Sequence, residues 1–128
     1  MIAIFFVIGR VLFGALFLYN GVNHFRNFAA LRGYCAFKRV PMPAACTIIS
    51  GLWLLVSGTS VVLGFRPEVG LALIAVFLLG VTPVMHDFWN AADPAQRLGD
   101  MINFQKNAAL MGAALMLLSL PRPWPYSL

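Results

Sequence analysis

Charged side chains are scarce in this sequence. Only 10% of its 128 residues are charged, and four residues are acidic, whereas a soluble domain usually carries about 25% charged residues. Hydrophobic residues make up 61% of the chain, and the mean hydropathy is +0.85. A water-soluble core cannot use this much apolar surface, but a lipid bilayer can. The composition therefore predicts a single integral membrane domain over residues 1–128.

Metal-binding, redox and nucleic-acid-binding motifs are also lacking. The two cysteines are Cys35 and Cys46. Their spacing fits no metal or redox motif, so we interpret them as small buried apolar residues. The net charge of +5 in so apolar a chain indicates membrane topology and contact with anionic lipid, not nucleic acid. We therefore expect membrane lipid as a partner, and neither nucleic acid nor a metal site.

Four long apolar runs predict an all-α fold, an antiparallel four-helix membrane bundle with short loops. The predicted helices cover residues 2–22, 44–64, 69–87 and 101–120. The first run lacks a basic leader and a clear cleavage site, so we expect a retained helix and not a signal peptide. Residues 25–43 alternate basic and aromatic side chains, which predicts a short helix in the membrane interface after the first helix.

Arg10 interrupts the first apolar run, roughly 12 Å along the helix. We expect its long side chain to extend back to the N-terminal membrane surface. The alternative is a buried charge paired across helices with Thr59, Ser60 or Glu68. Either way, Arg10 is interpreted as a structural charge.

Small residues predict where the helices pack closely. Gly51 and Gly58 share one face of the second helix, and Ala108 and Gly112 share one face of the fourth. The proline-rich tail cannot be helical. We expect its aromatic residues, Trp124 and Tyr126, to anchor it in the membrane interface.

Basic residues are distributed unevenly between the two ends of the predicted bundle. The first and third loops carry five of them: Arg26, Arg32, Lys38, Arg39 and Arg97. The other end carries two, Arg66 and Arg122. The positive-inside rule then places those loops in the cytoplasm and both termini on the periplasmic side of a bacterial inner membrane.

Polar side chains collect at the ends of three predicted helices that the topology brings to one depth. We call this set the polar shelf: Asn20, His24, His86, Trp89, Asn103, Lys106 and Asn107. Our first interpretation is structural, with an Asp87–Lys106 ion pair joining the third and fourth helices. The alternative is a site for the headgroup of a lipid or a quinone, whose carbonyls accept hydrogen bonds from Lys, His or Asn, with His86 passing protons.

Haem is a further alternative for this region. His24 and His86 come from different helices at similar depth and could serve as two axial ligands. Two histidines are the minimum for such a site, and both have commoner roles. We therefore disfavour haem.

Short motifs in a fixed order link the chain to a known family. They are Gly9-Arg10, Gly21-x-x-His24-Phe25, Pro41-Met42-Pro43, Leu63-Gly64-Phe65, His86-x-Phe88-Trp89 and Met101-Ile102-Asn103-Phe104-x-Lys106-Asn107. Together, over residues 9–118, they resemble the DoxX family of small four-helix membrane proteins. The resemblance implies the fold and a link to redox systems, because the family takes its name from a small subunit associated with a quinol oxidase and a thiosulfate:quinone oxidoreductase.

The resemblance also bears on the function. Relatives often carry a glutamate within the second helix, whereas residues 44–64 contain no acid here, and lysine is common where His24 stands. We therefore expect a non-catalytic accessory subunit that packs against and stabilises a larger respiratory or photosynthetic complex, near its quinone route. We assign no catalytic residue. A quinone-reactive subunit of a thiosulfate or quinol oxidoreductase is the alternative, and a small transporter or lipid-binding module is a third. A homo-oligomer is an alternative to assembly with other subunits.

Overall fold

The protein is entirely helical. The computed structural model describes all residues, Met1–Leu128. The helices are α1 (Ile2–Arg26), α2 (Phe28–Phe37), α3 (Pro43–Leu63), α4 (Pro67–Met85) and α5 (Pro94–Leu118), with a 3₁₀ turn at Phe88–Asn90. The predicted all-α class and the short helix after the first long helix are confirmed.

Three helices are long and apolar enough to cross a membrane. They are α1, α3 and the segment Pro67–Asn90 that contains α4. The fourth long helix, α5, has 25 residues but is not among these candidate spans, so the four-span bundle stays a prediction.

The start of α5 differs from the predicted start at residue 101. Asp93 caps the helix by accepting a hydrogen bond from the backbone N–H of Gln96 at 3.0 Å, and Pro94 occupies the first turn. Both are favoured at helix N-termini. The residues interpreted as a loop up to Gly99 are therefore largely helical, and Asp100 lies inside the helix.

Each long helix packs against the next one in the chain. α1 lies on α3, α3 on α4 and α4 on α5, while α2 lies on α3. The buried apolar core contains Phe17, Leu54, Val61, Leu71, Ile74, Leu78, Ala114 and Trp124. Many large apolar side chains remain on the outer surface, as expected of helices that face lipid.

Glycines bring α1 and α3 into close contact. A Cβ atom added at Gly51 would lie 2.8 Å from the Cβ of His24, and one at Gly58 would lie 2.9 Å from the backbone N of Leu18. Because real Cβ atoms do not approach so closely, the predicted packing face of α3 is confirmed. Gly112 on α5 has no atom within 4 Å of its virtual Cβ, so the small-residue face of α5 meets no other helix of this chain.

Arg10 is buried by the C-terminal tail. Only 4% of the residue is exposed, and its guanidinium donates to the carbonyls of Pro125 at 3.1 Å and Tyr126 at 3.0 Å. The expectation that it extends to the membrane surface was wrong. The three partners considered from the sequence do not bond to it: Thr59, Ser60 and Glu68.

The tail folds back over the helices. Trp124 is buried in the core with its ring edge-on to Phe6 at 5.1 Å, so its assignment to the membrane interface was wrong, whereas Tyr126 is exposed. The backbone N–H of Leu128 donates to the carbonyl of Leu63 at 3.1 Å. Both termini and the α3–α4 turn therefore lie at the same end of the molecule.

Candidate functional site

Lys38, just after α2, lies between two carboxylates at the other end of the molecule. Its Nζ is 2.5 Å from Oδ1 of Asp87 and 3.0 Å from Oδ2 of Asp100. The side chains of Lys38 and Asp100 are each 6% exposed, so the ammonium needs these partners. The predicted Asp87–Lys106 pair was wrong, because Lys106 instead lies 3.2 Å from Oδ1 of Asn103.

Tyr34 and His86 extend this network around Asp100. The Tyr34 hydroxyl lies 2.9 Å from the carbonyl of Met85 and 3.3 Å from Oδ1 of Asp100. The distance from Nδ1 of His86 to the same oxygen is 3.7 Å. We call Tyr34, Lys38, His86, Asp87 and Asp100 the ion network. It joins the end of α2 to the end of α4 and the start of α5.

The surroundings set the protonation states of two network members. Burial raises the pKa of the Tyr34 hydroxyl. Burial alone would lower the pKa of Lys38, but its hydrogen bonds to Asp87 and Asp100 outweigh that effect and raise it. At neutral pH, Tyr34 is therefore a neutral donor and Lys38 is a cation.

Three network residues were not predicted from the sequence. Lys38 counts there only as a charge that sets topology, Tyr34 is one residue of the short interfacial helix predicted within residues 25–43, and Asp100 lies outside the predicted fourth helix. A usable signal was the Asp93-Pro94 pair, which is typical of a helix start. A helix beginning there carries Asp100 about two turns inside.

A cavity of about 270 Å³ opens beside the network, between α1, α2, α4 and α5. Its wall is largely apolar, and we call it the polar cavity after the polar side chains grouped in that wall. Six of the seven polar-shelf residues line it: Asn20, His24, His86, Asn103, Lys106 and Asn107. Trp89 does not; it is half exposed and packs on Phe88 and Phe104, with ring centroids at 5.2 and 5.9 Å. The structure thus brings the six together, and ligand binding by them stays a prediction.

Hydrogen bonds within α1 fix the orientation of His24 in this cavity. Its Nδ1 lies 2.6 Å from the backbone carbonyl of Asn20. A carbonyl only accepts, so Nδ1 carries the proton and Nε2 of the neutral ring is an acceptor. Lys106, on the opposite helix, supplies a donor. The polar cavity therefore offers both kinds of hydrogen-bonding group.

An apolar groove of about 580 Å³ runs between α3 and α4, under the segment that joins α2 to α3. We call it the lipid groove. Its outer residues, such as Ile49 and Val76, are exposed where lipid would lie. Trp53 forms part of its wall and is held there by donating from Nε1 to the carbonyl of Leu73 at 2.8 Å. Trp53 therefore lines a crevice on the lipid-facing side of the bundle.

The polar cavity and the lipid groove share a wall. Four residues line both: His24, Phe77, Val81 and Met85. A molecule with a polar head and an apolar tail matches this arrangement, because the head would meet hydrogen-bonding groups and the tail would meet apolar side chains.

Among the His, Cys, Asp and Glu side chains, no group of three is placed to hold a metal ion. His24 and His86 line the same polar cavity, and their use as haem ligands stays an untested alternative.

Comparison with known proteins gives two matches. The family model described as DoxX matches residues 5–87. The chain is also similar to the protein named inner membrane protein YphA of Escherichia coli strain K12, with 30% identity over 112 residues, covering 87% of this chain and 79% of that relative. No solved structure matches the chain significantly.

Proposed function

This chain belongs to the DoxX family of membrane proteins, and from that premise we propose that it binds a quinone-type molecule within a bacterial inner membrane. The observation that carries the proposal is the shared wall between the polar cavity and the lipid groove. The quinone ring would lie beside His24, with one carbonyl toward the polar cavity. Its isoprenoid tail would follow the lipid groove past Trp53 into the bilayer.

The cavity residues fit a quinone headgroup chemically. Quinone carbonyls are acceptors, and Lys106 and the amide groups of Asn103 and Asn107 are donors. The Lys106 ammonium would also stabilise a reduced, negatively charged ring bound in the cavity. His86 lines this cavity with Nδ1 3.7 Å from Oδ1 of Asp100 and without a hydrogen-bond partner. Asp100 is paired through Lys38 with Asp87, whose side chain is 23% exposed. Proton exchange between the bound ring and the adjacent surface would require His86 to close this gap.

Lys106→Met tests this proposal against the matched control Arg97→Met. Both substitutions remove a cation from α5, but Arg97 does not line the cavity. The protein would be placed in lipid nanodiscs, and binding of a short-chain ubiquinone analogue followed by quenching of tryptophan fluorescence. Since a hydrogen bond to a charged group contributes about 1.5–3 kcal/mol, Lys106→Met should weaken binding roughly tenfold or more. Unchanged binding in Lys106→Met, or none in the unaltered protein, would contradict the proposal.

A second candidate function is that of an accessory subunit of a larger redox complex. It is favoured by the outer face of α5, where exposed Gln105 stands on the same face as Ala109 and Gly112. A polar side chain beside small residues is typical of contacts between membrane helices. We propose another integral membrane subunit as the occupant of this face.

Replacing Gly112 with Leu would test the accessory function. The bulky side chain should block close approach of a partner helix but clash with nothing in this chain, because no atom lies within 4 Å of the virtual Cβ. Native mass spectrometry of gently extracted membranes should show larger assemblies for the unaltered protein and their loss in Gly112→Leu. Gly9→Leu, also free of neighbours, is the control. A free chain in every sample would contradict this function, and a pure homo-oligomer would replace the partner by a second copy.

A further inference from the structure

The chain's two thiols lie next to each other although they belong to different helices. Cys35 is in the last turns of α2 and Cys46 in the first turn of α3. Both are free, and their side chains are within hydrogen-bonding reach of each other. From the sequence they are expected to be small buried apolar residues, because their spacing fits no metal or redox motif.

Cys35 is held in place by a neighbour on α3. Its Sγ lies 3.7 Å from the hydroxyl oxygen of Thr47, and that hydroxyl is 2.8 Å from the carbonyl of Pro43. The hydroxyl has one proton and gives it to the carbonyl, so the Cys35 thiol is the donor toward Thr47. This arrangement orients Cys35 toward α3, where Cys46 stands.

Both thiols line the lipid groove, and so does His24, which also lines the polar cavity. Cys35 is buried, whereas Cys46 is partly exposed. Nε2 of neutral His24 is an acceptor, so the wall that carries the two thiols also carries a group that can accept a proton. A thiol must lose its proton to react.

We propose that Cys35 and Cys46 form a redox-active dithiol that reduces a quinone held at the junction of the lipid groove and the polar cavity. Two S–H bonds break and one S–S bond forms. The two electrons and two protons pass to the quinone, whose carbonyl oxygens become the hydroxyls of the hydroquinone. The protein is thereby oxidised to a disulfide that joins α2 to α3, and an external dithiol such as a thioredoxin-type protein would regenerate it.

This inference rests on the proposed quinone binding and adds the source of the electrons. It explains why a groove for an apolar tail would carry two thiols beside a histidine. It also needs no acid in α3, where residues 44–64 contain none.

The test uses the reduced protein in nanodiscs without added thiol. A ubiquinone analogue with a fully substituted ring is added, because such a ring resists direct addition of thiols. Hydroquinone formation is followed by ultraviolet absorbance and free thiols by maleimide labelling, and intact mass is measured. We expect one hydroquinone and the loss of both free thiols per chain, with a mass lower by two hydrogen atoms. Cys35→Ser and Cys46→Ser should each abolish this reaction, whereas Arg97→Met should retain it.

Several results would overturn the inference. Quinone that quenches tryptophan fluorescence but leaves both thiols free would refute the dithiol reaction while sparing quinone binding. Absence of quenching would refute quinone binding itself. A mass increase equal to the quinone, or a disulfide between two chains, would show a different reaction. Hydroquinone formation by either serine variant would show that the electrons come from elsewhere.

Discussion

Lys38 connects three elements through one ammonium group. Because Asp87 follows α4 and Asp100 lies in α5, loss of this cation would leave two carboxylates close together with no counter-charge. Breaking a buried ion pair by removing one partner costs about 3–5 kcal/mol. We therefore expect Lys38→Met to lower the free energy of unfolding by about 3 kcal/mol or more, measured by circular dichroism in detergent.

Arg32→Met is the matched control for this prediction. Arg32 is an exposed cation on α2 whose contact is with the ring of Phe28, at 5.8 Å from its centroid. An exposed contact of this kind contributes about 0.5–1 kcal/mol, so the control should lose little stability. Equal losses in the two variants would mean that the ion network has no special role in holding α2.

Lys38 also determines how the stability of the protein depends on pH. The pKa of Lys38 is raised in the folded state by its hydrogen bonds to Asp87 and Asp100. Its contribution is therefore fully present below the ordinary lysine pKa of about 10.4 and is lost as pH rises through the higher folded value. Tyr34, whose pKa burial also raises, acts in the same direction. The temperature of thermal unfolding should therefore fall as the pH rises above about 10.4. It should fall less in Lys38→Met.

At the scale of elements, the contact between α1 and α3 positions His24. Replacing Gly51 with Ala would put a Cβ atom 2.8 Å from the Cβ of His24 and force α1 away from α3. Overpacking typically costs about 1–3 kcal/mol, so we expect a loss of that size in thermal unfolding together with weaker quinone binding. Gly9→Ala meets nothing within 4 Å and should be neutral or slightly stabilising. A stable Gly51→Ala variant would show that the helices can separate at little cost.

The sequence predicted most of the elements but not all of their contacts. Hydropathy located the three candidate spans, because it is a local signal, and the predicted topology then brought the polar-shelf residues to one depth. The start of α5 was missed because its first turns are polar and only the Asp93 cap marks them. Partners such as Cys46 for Cys35 depend on how α2 lies on α3, and no local pattern contains that information.

At the scale of the whole molecule, the tail closes the end opposite to the ion network. Trp124 fills the core against Phe6, and the carbonyl of Tyr126 binds Arg10. Removing a buried tryptophan side chain costs about 3–5 kcal/mol, so Trp124→Ala should lower the thermal stability strongly. Tyr126→Ala keeps the carbonyl and removes an exposed ring, and should change little. The opposite order of effects would show that the tail is held by lipid and not by the core.

The orientation in the membrane is the remaining prediction for the whole molecule. Both termini lie at the end that holds Arg66 and Arg122, which are within 4.0 and 3.6 Å of Glu68. The other end holds Arg26, Arg32, Arg39 and Arg97, besides Lys38 in its ion network. The positive-inside rule places that more basic end in the cytoplasm.

C-terminal fusions would test this orientation. Alkaline phosphatase fused after Leu128 should be active, because it folds in the periplasm, and a fluorescent protein at the same position should be dark. The reverse pattern would place the ion network outside.

The result also bears on Cys35 and Cys46, which lie near the basic end. In the reducing cytoplasm, a disulfide between them would be transient, as a catalytic cycle requires, whereas in the periplasm it would persist and act as a permanent clamp between α2 and α3.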